Sequence, residues 1–141
     1  MDAPPGGFLV FLDGSATSER ALDVALTRAE KTGAAVTLLA IVPPTLWRAK
    51  QGQFQVSPVD HDDEFARSLI ADAKAACAER GVTVFDVMRS GPPAQIIVEE
   101  AAKGYEVVVI GERRNLVGAP TLVSIVKDRL PTALEIVEES A

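Results

Sequence analysis

Short runs of mostly apolar residues recur along the chain, and longer segments with helical spacing separate them. The runs cover residues 8–12, 36–42, 82–88, 107–110 and 134–137. They are too short for buried helices, and the first is apolar at every position rather than at every second one. Such a run is typical of a strand that is buried on both faces, as in a parallel sheet. The pattern therefore predicts five strands, with the first and the fourth in the interior of the sheet.

Apolar residues in the separating segments fall at positions i, i+3, i+4 and i+7, the spacing of one helix face. Three segments show this spacing, and Gly33, Gly81 and Gly104 follow them as helix-ending residues. The predicted inner faces are Leu22, Ala25, Leu26 and Ala29; Ala66, Leu69, Ile70, Ala73, Ala76 and Cys77; and Ala94, Ile97, Val98 and Ala101. A short fourth helix begins at Pro120 and stops before Pro131, because proline does not continue a helix. Five strands alternating with about four helices predict a doubly wound α/β domain with a mostly parallel sheet.

Two stretches fall outside this alternation. Residues 1–7 are rich in proline and glycine and are predicted to be a loose tail. Residues 43–62 show no period, and connections this long tend to be lids, binding loops or mobile segments. We interpret Trp47 and Phe54 as side chains that hold this loop against the domain, with stacking on a ligand as the alternative. The whole chain, 1–141, is predicted to be one domain.

The turn Asp13-Gly14-Ser15 follows the first strand, with Ser15 or Thr17 available to cap the next helix. In open α/β sheets, ligands bind at the carboxyl ends of central strands, where helix N-termini present free N–H groups. Asp13 and Gly111, which directly follows the fourth run, are therefore expected to lie close together at such a crevice. Two interpretations stay open for the turn: a purely structural cap, or part of a ligand site.

Composition and charge narrow the possible partners. Fourteen Lys and Arg against 20 Asp and Glu give the 141-residue chain a formal net charge of −6. This charge argues against nucleic acid or an anionic membrane as the main partner. The only cysteine, Cys77, excludes a disulfide framework and is typical of a reducing compartment. No apolar run approaches the ~18 residues of a membrane span, so we predict a cytoplasmic protein, with a piece of a longer polypeptide as the alternative.

Catalytic and metal-binding patterns are missing from the sequence. His61 is the only histidine, and its neighbours Asp60, Asp62 and Asp63 lack the ligand spacing of a metal site. Acidic residues of this kind are typical of a helix N-terminus. No nucleophile elbow, phosphate-binding P-loop, zinc-protease or kinase motif occurs. Cys77 lies on an apolar helix face, which is typical of a core residue rather than a reactive thiol. We therefore predict no catalytic residues, no metal site and no enzyme activity, with slow nucleotide hydrolysis as the enzymatic alternative.

Four segments, in order and spacing, resemble the universal stress protein family and together cover nearly the whole chain. They are the strand ending in Asp13-Gly14-Ser15 with Ser18-Glu19-Arg20-Ala21-Leu22 after it, the second strand with Pro43-Pro44, Gly91-Pro92-Pro93-Ala94 with Ile97 and Val98, and the fourth strand ending in Gly111. The resemblance implies a single Rossmann-like domain of the adenine nucleotide alpha hydrolase type. For nucleotide-binding members it also implies a site with Asp13 near the ribose and the backbone of Val42 near the adenine.

In those members, a stretch G-x2-G-x9-G-[ST] after the fourth strand surrounds the phosphates. Aligned from Gly111, its second glycine falls on Arg114, its third on Ser124 and its hydroxyl residue on Ile125. A shift of one residue makes Ser124 the hydroxyl residue and puts Val123 at the third glycine. Side chains at glycine positions obstruct the close approach of backbone N–H groups to phosphate. Half of the implied site is thus present, and its phosphate half is degraded.

The candidate nucleotide-binding residues are Asp13, Gly14, Ser15, Val42, Gly111, Arg113, Arg114 and Ser124. The guanidinium groups of Arg113 and Arg114 could replace the lost N–H donors and hold an anion. The alternative is a solvated pair on a surface loop, because ordering long side chains costs entropy. No cofactor is firmly implied, and binding of ATP or AMP is predicted to be weak or absent.

The resemblance also implies a dimer interface, since in this family the last strand commonly pairs with its copy across a twofold axis. Leu134, Ile136 and Val137 are the candidate interface residues, and Glu135 would oppose its symmetry mate there. The sequence thus predicts a homodimeric regulatory or interaction protein with an unknown protein partner and without efficient ATP binding. The alternative is a module that binds an adenine nucleotide or another small anion near Asp13 and Gly111.

Overall fold

Strands and helices alternate along the described part of the chain. The computed structural model describes residues 7–42, 58–112, 122–130 and 133–138. The strands are β1 (Phe8–Leu12), β2 (Val36–Val42), β3 (Val84–Ser90), β4 (Val107–Glu112) and β5 (Ala133–Glu138). The helices are α1 (Ala16–Thr32), α2 (Pro58–Glu79), α3 (Pro93–Ala101) and the short α4 (Leu122–Val126). Among these helices, none has the length and apolar character needed to cross a membrane.

The five strands lie parallel in one sheet, in the order β3-β2-β1-β4-β5. β1 is the central strand, with Phe8 opposite Val36 of β2 on one side and opposite Val107 of β4 on the other. Every residue of β1 is buried, because helices cover both faces of the sheet and neighbouring strands cover both edges of β1. The predicted doubly wound α/β sheet, with the first and fourth strands in its interior, is confirmed.

The chain changes direction across the sheet between β3 and β4. It first proceeds from β1 outward through β2 to β3, and then crosses to the other side of β1 and proceeds through β4 to β5. Helices α1 and α2 cover one face of the sheet, and α3 and α4 cover the other. The carboxyl ends of β1 and β4 therefore flank the switch point at which open α/β sheets bind ligands.

The predicted loose tail is wrong at Gly7. This residue is buried, and its carbonyl accepts hydrogen bonds from the N–H groups of Glu106 (2.9 Å) and Val107 (3.3 Å). Since β4 begins at Val107, these bonds hold the entry to β1 beside the entry to β4. Residues 1–6 lie outside the described residues.

The predicted loop over 43–62 is too long at its end, because α2 already begins at Pro58. Proline in the first turn and the acidic residues that follow it both favour a helix start there. Residues 43–57, with Trp47 and Phe54, lie outside the described residues.

β3 begins two residues later than the apolar run predicts, at Val84 instead of residue 82. The Val82 N–H donates to the carbonyl of Cys77 (3.0 Å) and so closes the end of α2. The carbonyl of Thr83 accepts a hydrogen bond from the Val36 N–H (2.9 Å), just before the paired part of the strand begins. Val82, the first residue of the apolar run, therefore belongs to the end of α2 and not to the strand.

The face that α3 presents to the core is shifted from the one that its spacing predicts, although Ile97 and Ala101 are buried as predicted. The buried residues are Ile96, Ile97, Glu100 and Ala101. The predicted core residues Ala94 and Val98 are only partly buried. Glu100 is fully buried, and its Oε1 accepts hydrogen bonds from Lys103 Nζ (2.8 Å) and the Arg89 guanidinium (3.4 Å). Pairing with these cations offsets the free-energy cost of burying the Glu100 carboxylate. A hydrophobic pattern does not show which cations will lie near a given carboxylate.

Candidate functional site

Asp13, Gly14 and Ser15 form the tight turn between β1 and α1. Ser15 is the N-cap of α1, and its Oγ accepts a hydrogen bond from the Ser18 N–H (3.1 Å). The Ser15 hydroxyl donates to Oδ1 of Asp13, and the Ser15 N–H donates to the same oxygen over 2.9 Å. The Asp13 N–H in turn donates to Ser18 Oγ (3.2 Å). The predicted capped turn is confirmed, with Ser15 as the capping residue.

Gly14 has a left-handed backbone (φ +86°), a conformation that favours glycine. A Cβ at this position would lie 2.8 Å from Cζ of Phe65 and 3.5 Å from Cδ2 of Leu69, both on α2. Phe65 is 57% exposed and lies off the predicted apolar face of α2. The hydrophobic pattern of the chain does not identify it as a neighbour of the turn. The only signal for it is its position four residues before Leu69, which puts the two side chains side by side.

Gly111 lies directly against the first turn of α1. A Cβ on Gly111 would come within 2.5 Å of the carbonyl carbon and oxygen of Thr17, and within 2.9 Å of the Ser18 nitrogen. Both of these α1 residues are buried. Since Ser18 also bonds to Asp13, the start of α1 joins the carboxyl ends of β1 and β4. Asp13 and Gly111 thus lie at the same end of the sheet, as expected for the switch point.

Val42 ends β2 at the same edge of the sheet. Its carbonyl accepts a hydrogen bond from the N–H of Gly91 (3.2 Å), in the connection from β3 to α3. Its side chain is buried in a cluster with Ala40, Ala66 and Ile70. The carbonyl of Val42, part of the backbone implied to lie near an adenine, therefore already has a partner within the chain.

The implied phosphate site lies only partly within the described residues. Arg113 and Arg114 lie outside them, so both interpretations of this pair stay open. Ser124 belongs to α4, and its side chain is not among those described. In the same helix, Val123 is buried and Ile125 is 37% exposed. The exposed Ile125 falls at the hydroxyl position only in the alignment from Gly111; in the alignment shifted by one residue that position is Ser124.

β5 is an edge strand of the described sheet, paired with β4 along one side. Leu134 is half-buried and packs against the core between the sheet and α3, so it contributes to the core of its own chain. Ile136 and Val137 lie opposite Ile110 and Gly111, and their side chains are not among those described. The strand has the free edge that pairing with a copy requires, and the interface itself stays a prediction.

Reactive thiol and metal chemistry find little support in the described part of the chain. Its side chains form no group of three or more His, Cys, Asp and Glu suited to hold a metal ion. Cys77 is fully buried in the core beneath α1 and α2, and this burial raises the pKa of its thiol. A buried, protonated thiol is a poor nucleophile, which supports the interpretation of Cys77 as a core residue. The side chain of His61 lies outside the described residues.

Comparison with known proteins identifies the family. The model of the universal stress protein family matches residues 8–129, nearly the whole of the fold described above. The chain belongs to the universal stress protein family. A curated universal stress protein from Mycolicibacterium smegmatis is 29% identical over 112 residues, which cover 76% of this chain and 38% of that relative. This universal stress protein therefore spans well under half the length of the relative it matches.

Solved structures share the fold of this universal stress protein at low sequence identity. The hypothetical protein MJ0577 has a TM-score of 0.80 at 20% identity, over 97% of both chains. The universal stress protein from Archaeoglobus fulgidus in complex with dAMP has a TM-score of 0.71 at 18% identity, over 93% of this chain and 96% of that one. At such identities the likeness shows the fold alone.

Proposed function

We propose that this universal stress protein is a regulatory or interaction protein that binds ATP weakly or not at all. The observation that carries the proposal is that the polar groups at its crevice already bond to one another. Oδ1 of Asp13 accepts two hydrogen bonds from Ser15, and Oγ of Ser15 caps α1. The carbonyl of Val42 accepts from Gly91. A nucleotide would have to share or replace these internal bonds.

The packing of Gly111 supports the same proposal. Its lack of a side chain is required by the backbone of Thr17 and Ser18, which lies within 3 Å of where a Cβ would be. This glycine is therefore no evidence that phosphate approaches the end of β4. In the family pattern aligned from Gly111, Arg114, Ser124 and Ile125 stand at the positions of two glycines and a hydroxyl; with a shift of one residue, Ser124 is the hydroxyl residue and Val123 stands at the third glycine. Each charge-assisted hydrogen bond lost to a triphosphate is worth about 1.5–3 kcal/mol, so two or three losses lower the affinity by several orders of magnitude.

The second candidate function is binding of an adenine nucleotide or another small anion at this crevice. The A. fulgidus relative of the same fold is in complex with dAMP. In this chain Asp13 is half-buried, and among the described residues only its Oδ1 accepts hydrogen bonds. No described residue donates to its Oδ2, which supports a role for that oxygen as acceptor for a ribose hydroxyl. AMP has one phosphate where ATP has three, so it needs fewer hydrogen-bond donors from the phosphate stretch. If the crevice binds a nucleotide, AMP is therefore the one that we expect.

Calorimetric titration with ATP, ADP and AMP at moderate salt distinguishes the two candidates. We expect no saturable heat with ATP for the wild type. Micromolar binding of any of the three that disappears in Asp13→Ala would put the nucleotide-binding function first. Steady release of phosphate from ATP, lost in the same variant, would support the enzymatic alternative.

We further propose that the protein acts in the cytoplasm as a homodimer paired through β5. The free edge of that strand supports the pairing. The single, buried cysteine is compatible with a reducing compartment.

A further inference from the structure

An open groove lies between α1 and α2, on the face of the sheet that these two helices cover. It encloses about 400 Å³, begins at Leu12 and Gly14 beside the turn, and ends at Glu79 and Arg80. Sites for small organic ligands typically have volumes of about 300–1,000 Å³. The groove is therefore large enough for a small molecule, and it runs along the two helices instead of into the crevice between β1 and β4.

The floor of the groove is apolar. It is formed by Leu12, Leu22, Leu26, Leu69, Ala73 and Ala76. Leu69 and Ala76 belong to the predicted apolar face of α2 but stay only half-buried, whereas Ala66, Ile70 and Cys77 on the same face are buried. The incomplete burial of Leu69 and Ala76 shows that α1 and α2 do not cover the sheet along their full length. A ligand with an apolar body would remove this surface from water, which is favourable in proportion to the apolar area covered.

The rim of the groove is acidic. Glu19 and Asp23 come from α1, and Asp72 and Glu79 come from α2. Arg80 is the one cation among the described residues that line the groove, and it already bonds to Asp23 (2.8 Å), to Glu30 and to Oγ1 of Thr27 (3.0 Å). Within the described residues no ion pair involves the other three rim carboxylates, on Glu19, Asp72 and Glu79. The described rim residues, four carboxylates and one guanidinium, carry a formal charge of −3.

We propose that this groove binds a small amphipathic organic cation, an amine with an aliphatic or aromatic body. The apolar floor takes the body of such a ligand, and the carboxylates on both sides take its charge. An anion of the same shape is repelled by the rim, and a neutral molecule gains from the floor alone. The net charge of −6 on the whole chain adds long-range attraction for cations. The proposal does not rest on nucleotide binding: of the candidate nucleotide-binding residues, only Gly14 is among the described residues that line the groove, and it offers no side chain.

The charge requirement is tested with octylamine, octanol and octanoate, which share one alkyl chain and differ in charge. Chemical shifts of backbone amides report binding below the concentration at which any of the three aggregates. We expect octylamine to shift the signals of α1 and α2 and to bind about 10-fold tighter than octanoate, since partly exposed carboxylates each contribute modestly. Equal binding of the three compounds would overturn the proposal.

The location is tested with two substitutions and a matched control. Asp72→Asn combined with Glu79→Gln removes two unpaired rim charges, and we expect octylamine to bind several-fold more weakly. Glu64→Gln changes one exposed carboxylate of the same helix outside the groove and should leave the affinity unchanged. Ala76→Leu fills the floor and should abolish binding while the far-UV circular dichroism stays native. Unchanged affinity in both groove variants, or binding of a basic amphipathic peptide but of no amine, would contradict the proposal.

Discussion

At the scale of single residues, Gly111 shows how one position can be essential for packing and uninformative about ligands. The missing Cβ leaves room for the backbone of Thr17 and Ser18, so the first turn of α1 can rest on the end of β4. The sequence predicts that a glycine belongs here, because it follows a buried strand at a switch point. It cannot tell whether phosphate or a helix occupies the space, because the neighbour comes from a segment more than 90 residues earlier.

Gly111→Ala should therefore lower the free energy of unfolding by about 1–3 kcal/mol, the usual cost of forcing extra atoms into a packed interior. Both neighbours are backbone atoms and cannot rotate away. Urea unfolding monitored by circular dichroism measures the change. Gly33→Ala is the control: nothing lies within 4 Å of its added Cβ, and only its left-handed backbone (φ +76°) resists the change, at about 1–2 kcal/mol. If Gly111→Ala leaves the stability unchanged, the close packing at the switch point is wrong.

The burial of Glu100 is a feature that the sequence does not predict. Helical spacing alone assigns it to the surface, yet it is fully buried between Arg89 and Lys103. Its Oε2 has no hydrogen-bond partner among the described residues. Burial of a carboxylate depends on which cations the tertiary fold brings to it, and a hydrophobic pattern does not contain that information.

At the scale of elements, Arg80 ties the ends of α1 and α2 together. It follows α2 directly and reaches Asp23, Thr27 and Glu30 along α1. The hydrogen bond from Arg80 holds the pKa of the Glu30 carboxyl below its ordinary value of 4.5. Folded protein therefore keeps Glu30 ionised at a pH where the unfolded chain already binds a proton.

This depressed pKa fixes the direction of a pH effect on stability. The Arg80–Glu30 pair makes its full contribution to the free energy of unfolding above pH 4.5, the pKa expected for Glu30 in the unfolded chain. This contribution is lost as the pH falls through the lower pKa of Glu30 in the folded state. Arg80→Gln should lower the urea midpoint at pH 7. The difference between the urea midpoints of the variant and the wild type should become smaller at strongly acidic pH. Added salt should also reduce the difference, because Glu30 is exposed to solvent. Lys31→Gln removes the same charge from the end of α1 and should lack this pH dependence; an equal effect in both variants would contradict the pairing.

Element types and order follow from the sequence, while element boundaries and faces do not. Five apolar runs and three helical periods are enough to predict the parallel sheet, because both are local properties of the chain. β3 starts later than predicted, after the Val82 N–H closes α2, and the buried face of α3 includes Glu100, which pairs with Arg89 of β3. Both differences arise from contacts between elements, which periodicity does not report.

At the scale of the whole molecule, the strand order places one edge of the sheet at β5. Ile136→Lys adds a charge in this strand, and we expect it to shift a micromolar dimer toward monomer in sedimentation velocity, because charges on an edge strand oppose pairing. Thr83→Lys, just before the opposite edge strand, is the control and should leave the assembly unchanged. A wild type that sediments as a monomer, or a dimer that Ile136→Lys does not weaken, would show that β5 is not the interface.

The crevice is a property of the whole molecule as well, and the sequence predicts it only in part. Asp13 and Gly111 both lie beside Ser18 at one end of the sheet, because the carboxyl ends of neighbouring parallel strands share one edge of the sheet. The internal hydrogen bonds that occupy Asp13 and the carbonyl of Val42 were not predictable, because each depends on the geometry of a turn. Those bonds, and the degraded phosphate stretch, are the reasons to expect no efficient ATP binding.

Calorimetric titration with ATP should compare the wild type with the variant Arg114→Gly/Ser124→Gly/Ile125→Ser, which restores the family pattern as aligned from Gly111. We expect the wild type to bind more weakly than about 100 μM and the variant to gain about 10-fold or more, since backbone donors to phosphate are restored. Binding of ATP by the wild type with a Kd of about 1 μM would show that the internal hydrogen bonds and the altered phosphate stretch do not prevent efficient ATP binding.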